Sequence, residues 1–343
     1  MQAAASIRRA LLDWYSRVKR DLPWRRTSDP YAIWISEIML QQTRVAAVLP
    51  YYDRFLKRFP TVQDLANAPK EQVLAAWAGL GYYSRARNIQ KAAARIADAV
   101  AFPSDYDAIR ELPGIGDYTA AAVASIAFNR PHAAIDGNAL RVFSRLTAEP
   151  GDIGARVTRE RLTAAAGALL DRKQPGDFNQ AVMELGATVC LPKTPECGKC
   201  PLSRHCAAYA ARAVDQYPVK LHKQQRTEVS ETLFYVERDG QVLLWRRDAG
   251  SKRMAGFWEL PVQTQLKSPT IENLAGEFRH TIVNTTYRFR VVRASISTKV
   301  DGLVWLPKKN LDEVPLSTTA KKAMLCLKKH EPGEAARAAT AGR

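Results

Sequence analysis

Two carboxylates, a glycine-rich turn and a cysteine cluster are the features of this chain best suited to chemistry. Glu37 lies in the stretch Asp29-Pro30-Tyr31-Ala32-Ile33-Trp34-Ile35-Ser36-Glu37-Ile38-Met39-Leu40, where Asp29 is a natural N-cap and Pro30 suits the first helical position. Between residues 31 and 40 only Ser36 and Glu37 are strongly polar, so the predicted helix is buried on most sides. Burial disfavours a carboxylate and keeps a proton available for donation. A buried Glu paired to an Arg for structural reasons is the plain alternative. The second acid, Asp136, follows Ala133-Ala134-Ile135 and precedes Gly137-Asn138. An Asp there is by default a turn or cap residue, and it gains meaning only beside Glu37. One acid that gives a proton and one carboxylate that steadies a cation make up the pair that breaks glycosidic bonds.

The glycine turn is Leu112-Pro113-Gly114-Ile115-Gly116-Asp117-Tyr118-Thr119-Ala120, followed by an Ala-rich apolar run to Phe128. Pro113 stops the preceding helix, and the glycines leave backbone amides bare at the start of the next, a natural anion site. An ordinary helix–turn–helix connection has the same pattern. A second glycine turn, Gly79-Leu80-Gly81-Tyr82-Tyr83-Ser84-Arg85, sets aromatics beside Arg, which suits stacking on bases and phosphate contact as well as plain core packing. Cys190-x6-Cys197-x2-Cys200-x5-Cys206 brings four thiols into one loop, while the fifth, Cys326, lies far away. Structural zinc and a [4Fe–4S] cluster both suit four thiolates; zinc ribbons usually carry two Cys-x2-Cys pairs and here there is one.

The elements that must hold these residues change texture along the chain. Up to about residue 210 the pattern is helical, with apolar residues near a period of 3.6 cut by Pro and Gly. Residues 215–226 are charged and aperiodic and read as an exposed linker. Beyond it, residues 232–236 and 241–245 flank Asp239-Gly240, a good hairpin turn, and a second β-rich run covers 285–298. The expectation is a mainly α domain over 1–212, a linker over 213–228, a smaller α+β domain over 229–330 and a disordered tail over 331–343. Lys plus Arg number 51 against 34 acids, a net +17 that suits a polyanionic partner. The N-terminal stretch reads as an amphipathic helix rather than a signal peptide, and no apolar run approaches the roughly 20 residues that span a bilayer. An intracellular location is expected, where clustered thiols point to metal rather than disulfides.

With these residues in view, the chain resembles the MutY-type adenine DNA glycosylases of the endonuclease III, or helix-hairpin-helix, superfamily. The resemblance runs from about residue 6 to 210. It rests on Leu22-Pro23-Trp24-Arg25, Ser36-Glu37-Ile38-Met39-Leu40-Gln41-Gln42-Thr43, Gly79-Leu80-Gly81-Tyr82-Tyr83, the glycine hairpin, Ile135-Asp136-Gly137-Asn138, Phe178-Asn179-Gln180 and the cysteine spacing. It implies a helix-hairpin-helix glycosylase fold with an Fe–S loop, and a monomer acting on double-stranded DNA that carries adenine opposite 8-oxoguanine or guanine, in base excision repair. Glu37 is then the acid that protonates adenine N7, Asp136 the support of the sugar cation, and Tyr118 and Asn138 the residues that orient the reacting groups. Trp24, Arg25 and Gln180 are implied contacts of the extruded adenine. Gln42 and Tyr82 are implied insertions into the base stack, and Leu40, Gly114 and Gly116 belong with the DNA contacts. Cys190, Cys197, Cys200 and Cys206 are the implied [4Fe–4S] ligands.

Bifunctional relatives carry a Lys two residues after the second hairpin Gly, where it forms a Schiff base. Here Tyr118 stands there, which implies a glycosylase without strong strand cleavage. The C-terminal part resembles the family's Nudix-like recognition domain through Trp245-Arg246-Arg247 and Gly256-Phe257-Trp258-Glu259-Leu260-Pro261, without the Nudix catalytic run. Phe278-Arg279-His280-Thr281 matches the recognition loop, so His280 and Asn284 are implied DNA contacts, but Ile282-Val283-Asn284 replaces an aromatic-Ser-His triplet. A thymine or oxidised-pyrimidine glycosylase and a non-catalytic Fe–S DNA-binding module are the rival readings.

Overall fold

The structure is a computed structural model that describes residues 2–99, 101–221, 227–248, 250–251, 254–266, 268–282, 284–297 and 300–329. The expected tail over 331–343 lies outside the described residues. Among the described residues, contacts group those up to 67 with those from 88 to 221 in one compact unit, and those from 68 to 87 with those from 227 to 329 in a second. Among the described residues no helix is long and apolar enough to cross a membrane.

The first unit is helical. The Pro30–Leu40 helix starts where the sequence predicts: Asp29 accepts from the amides of Tyr31 at 3.0 Å and Ala32 at 3.4 Å. Every residue from Tyr31 to Met39 is buried, because nearly all of them are apolar and no side of the helix is suited to water. The Asp117–Phe128 helix is buried over residues 119–125, and its run of alanines lets neighbouring helices approach closely. A separate core joins Leu11 and Trp14 of the Gln2–Val18 helix, Phe143 of the Gly137–Thr147 helix and Phe178 of the Pro175–Thr188 helix. The stretch read as a linker is anchored in its first half. Arg145 Nε donates to the carbonyls of Val214 and Tyr217, and the amide of Ile153 donates to the carbonyl of Val219 at 2.9 Å.

The second unit is α+β. One sheet has the order β1 (Thr227–Tyr235), β6 (Thr285–Ser295), β5 (Thr270–Ile282), with β1 parallel and β5 antiparallel to β6. In the other, β3 (Gln241–Arg246) pairs antiparallel with β2 (Glu237–Arg238), β4 (Trp258–Glu259) and β7 (Leu303–Pro307). The β2–β3 turn is the predicted Asp239-Gly240, both with positive φ, 49° and 70°, as a two-residue hairpin of the right twist requires. The Thr318–Lys329 helix seals one apolar face through Ala320, Ala323 and Leu327 against Val242, Phe289 and Val291. The sequence boundary did not foresee that residues 68–87 belong here. Tyr83 packs on Phe257 with ring centroids 3.9 Å apart, and Glu71 meets Arg246 at 3.3 Å.

Candidate active site

The Glu37 side chain leaves a buried helix for a cavity of about 990 Å³ in the first unit. Only 5% of the residue is exposed. Its Oε2 accepts a 2.6 Å hydrogen bond from the hydroxyl of Tyr118, the second residue of the Asp117–Phe128 helix. Burial is the main influence on the Glu37 carboxyl and pushes it up to about 7; the Tyr118 hydroxyl pulls it down, and the charge of Asp136 pushes it up again. A group in that range holds a proton at neutral pH and can release it.

Tyr118 is delivered by the glycine hairpin. The Tyr106–Arg110 helix ends, Gly114 turns the chain at φ +80°, and Gly116 opens the next helix with no side-chain cap. A Cβ on Gly114 would stand 2.5 Å from Cβ of Asn88, so both its dihedral and its neighbour demand glycine. The uncapped amides after Gly116 are the feature from which the sequence suggested anion binding.

Asp136 lines the same cavity and also caps the Gly137–Thr147 helix, accepting from the Ala139 amide at 2.7 Å. Its default reading as a cap and its catalytic reading are therefore compatible. Its Oδ2 also accepts from Asn138 Nδ2 at 3.0 Å. Burial raises the Asp136 carboxyl, while these donors and the Arg141 charge oppose the rise. Asn138 is held in turn: its Oδ1 accepts from Arg141 Nη2 at 2.9 Å, and Arg141 also donates to the carbonyls of Gly186 and Cys190. Gly186 is where the Pro175–Thr188 helix meets Asn138; a Cβ there would come within 2.6 Å of the Asn138 Cβ.

Around this pair the cavity gathers Trp24, Arg25, Leu40, Gln42, Gly116 and Gln180. Trp24 is buried edge-on against Tyr52, with centroids 5.2 Å apart. Gln42 sits just past the Pro30–Leu40 helix with φ 58°, a strained left-handed conformation of the kind that clusters at working sites. Glu184 was missed by the sequence reading. It lines the cavity and takes hydrogen bonds from Arg20 (2.7 and 2.8 Å) and Arg25 (2.8 Å). Burial raises its carboxyl, but the two arginines overcome this and hold it down at about 2. The signal was available: Glu184 interrupts the apolar run Ala181-Val182-Met183 just as Glu37 interrupts its own helix.

Other predicted residues lie elsewhere. Tyr82, His280 and Asn284 belong to the second unit. Tyr82 is 47% exposed at φ 49°, with the Arg85 guanidinium 5.4 Å from its ring. His280 is on β5, its Nδ1 3.4 Å from Lys322 Nζ, and the Asn284 carbonyl accepts from the Thr227 amide at 3.1 Å.

The four clustered cysteines are free thiols that line one small, mostly apolar cavity with Val142, Leu146, Leu185 and Leu202 among its walls. Among the described residues no group of three or more Cys, His, Asp or Glu is arranged to hold a single metal ion. The donor set suits a thiolate-ligated metal group: four sulfurs from one loop, apolar walls and no competing disulfide.

A helix–hairpin–helix whose glycine turn leaves helix amides without a side-chain cap, in the same unit as a buried acid, defines a class. Residues 35–166 match the HhH-GPD superfamily of base excision DNA repair proteins. The chain is 32% identical over 410 residues to the adenine DNA glycosylase of Homo sapiens, covering 96% of this chain and 75% of that protein. It is 31% identical to the adenine DNA glycosylase of Buchnera aphidicola subsp. Baizongia pistaciae, with 93% and 96% covered. Among solved structures, a thermostable thymine-DNA glycosylase superposes with a TM-score of 0.56 at 30% identity, over 61% of this chain and 98% of that one. The chain belongs to the adenine DNA glycosylase family.

Proposed function

We propose that this chain is a monofunctional DNA glycosylase that hydrolyses the N-glycosidic bond of adenine mispaired with 8-oxoguanine or guanine in duplex DNA. The observation that carries this reading is the buried Glu37, poised near neutrality, in the same cavity as Asp136. In this mechanism the adenine leaves the stack and enters the cavity. Glu37 gives its proton to N7, the C1′–N9 electron pair leaves with the base, and the Asp136 carboxylate steadies the positive sugar. Water then adds to C1′ and its proton is lost, leaving an abasic site. Tyr118 holds the Glu37 carboxyl by its hydroxyl and supplies no amine for a Schiff base, so the strand stays intact. The net +17 and the open hairpin amides favour contact with the DNA backbone.

Duplexes carrying A opposite 8-oxoguanine, G, C or T test the reading. Breaks that form only after hot alkali, and only in the adenine strand of the first two, are expected. Release of a pyrimidine instead supports a thymine-type enzyme, and duplex binding with no base release supports a non-catalytic module. Two variants probe the cavity. Tyr118→Phe removes the hydrogen bond that lowers Glu37, so the alkaline limb of the pH–rate profile should move to higher pH. Gly186→Ala should slow base release by displacing Asn138, and so Asp136, while circular dichroism shows the helices retained.

The cysteine loop, in the same reading, holds a [4Fe–4S] cluster through Cys190, Cys197, Cys200 and Cys206, and the cluster supplies a fixed cross-link for the loop. Acid-labile sulfide and iron in the purified protein test this; zinc without sulfide contradicts it.

A further inference from the structure

Arg145 is the most deeply buried arginine among the described residues, with 2% of its surface exposed, and it lines the thiol cavity. Its side chain makes five hydrogen bonds. Nε donates to the carbonyls of Val214 (3.1 Å) and Tyr217 (3.0 Å), Nη1 to that of Leu191 (2.7 Å), and Nη2 to that of Pro192 (3.0 Å). The fifth runs from Nη1 to Sγ of Cys190 at 3.3 Å, while the Arg145 carbonyl accepts from Sγ of Cys206 at the same distance. One planar fork thus ties the chain just after the first cysteine to the chain beyond the last.

Among the described residues no acid answers the charge on that fork. All five acceptors are carbonyls or a sulfur, whereas Arg20 and Arg25 end on Glu184. A guanidinium stays protonated in a protein, and an uncompensated charge this deep is strongly destabilising. Carbonyl dipoles offset part of it; a full negative charge in the adjoining cavity offsets the rest. Four thiolates around an iron–sulfur core carry a net negative charge, and hydrogen bonds to their sulfurs are among the levers that set the potential of such a group.

We propose that Arg145 is the counter-charge and clamp of the metal group held by the four cysteines, a positioning residue that makes its anionic form tolerable in an apolar wall and raises its reduction potential. This rests on the cluster reading given above. A purely mechanical staple would hold the loop through carbonyls alone, and its loss would loosen the loop without altering the electronic properties of the group. A counter-charge acts on both.

Arg145→Gln and Arg145→Lys, each as the full chain, separate the two roles. The measurements are iron and sulfide per chain, the rate of iron loss to a chelator, and the reduction potential. The glutamine variant is expected to lose iron at least tenfold faster than the native protein, and the cluster that remains should be harder to reduce. The lysine variant keeps the charge but not the fork, so it should lose iron faster while its potential stays close to native. A glutamine variant with the native potential overturns the counter-charge role. Should that variant not fold, a lysine variant that releases iron at the native rate overturns the clamp, and faster release with a native potential supports the proposal. Absence of iron and sulfide from the native protein overturns the cluster reading itself, a result read before any variant is made.

Discussion

Glu37→Gln is expected to cut single-turnover adenine release by at least about a hundredfold, the lower end of what a positioned general acid contributes, with little change in duplex affinity. Gln keeps the size of the side chain and an oxygen to accept from Tyr118, so only the transferable proton is lost. The linkage sign supplies a control for folding. The folded-state carboxyl titrates near 7 and its ordinary value is 4.5, so between those values the folded chain keeps a proton that the unfolded chain has lost. The contribution of Glu37 to stability therefore falls as pH rises through that window and stays low above it. A neutral Gln removes this penalty, and at pH 8 the variant should melt no lower than the native protein. Loss of activity with a preserved or raised melting temperature separates catalysis from folding. Surviving activity would remove Glu37 as the acid.

Asp136→Asn carries the second large effect. Asn is as good an N-cap as Asp, so the Gly137–Thr147 helix should keep its start, while the negative charge opposite Glu37 disappears. If that charge steadies the sugar cation, release should fall by roughly a hundred- to a thousandfold, the range seen when one preorganised electrostatic partner is removed. Asp136→Ala should add a stability loss of about 1 kcal/mol from the missing cap. Rates and melting temperatures for both variants distinguish a carboxylate that works from one that only ends a helix.

How much of this was legible beforehand depends on the range of the forces involved. Glu37 was readable because a lone acid in an apolar helix is a local anomaly, and the Asp29-Pro30 start fixed where that helix begins. The hairpin glycines and the Asp239-Gly240 turn were readable because their dihedrals are local too. Asp136 was ambiguous: its neighbours specify a cap, and only the fold brings it to the cavity of Glu37. Glu184 and Arg145 were passed over because the partners of their side chains lie more than 40 residues away in the chain, as do the Gly186 and Cys190 carbonyls that Arg141 engages beside its near neighbour Asn138, and pairing at that distance leaves no periodic trace. The same holds for residues 68–87, whose membership of the second unit depends on contacts such as Tyr83 with Phe257. Residues 215–226 looked like a solvated linker from composition, yet the carbonyls of Tyr217 and Val219 are engaged by Arg145 and Ile153. Backbone acceptors are invisible to a reading of side chains.

The pH dependence of adenine release, measured as kcat/KM on a duplex with adenine opposite 8-oxoguanine, probes the protonated acid of the free enzyme most directly. The expected result is a rate that falls on the alkaline side with a midpoint near 7 and loses that limb in Glu37→Gln. A rate that is flat or rising from about pH 6 to about pH 9 would contradict a buried, proton-bearing Glu37 as the group that starts the reaction.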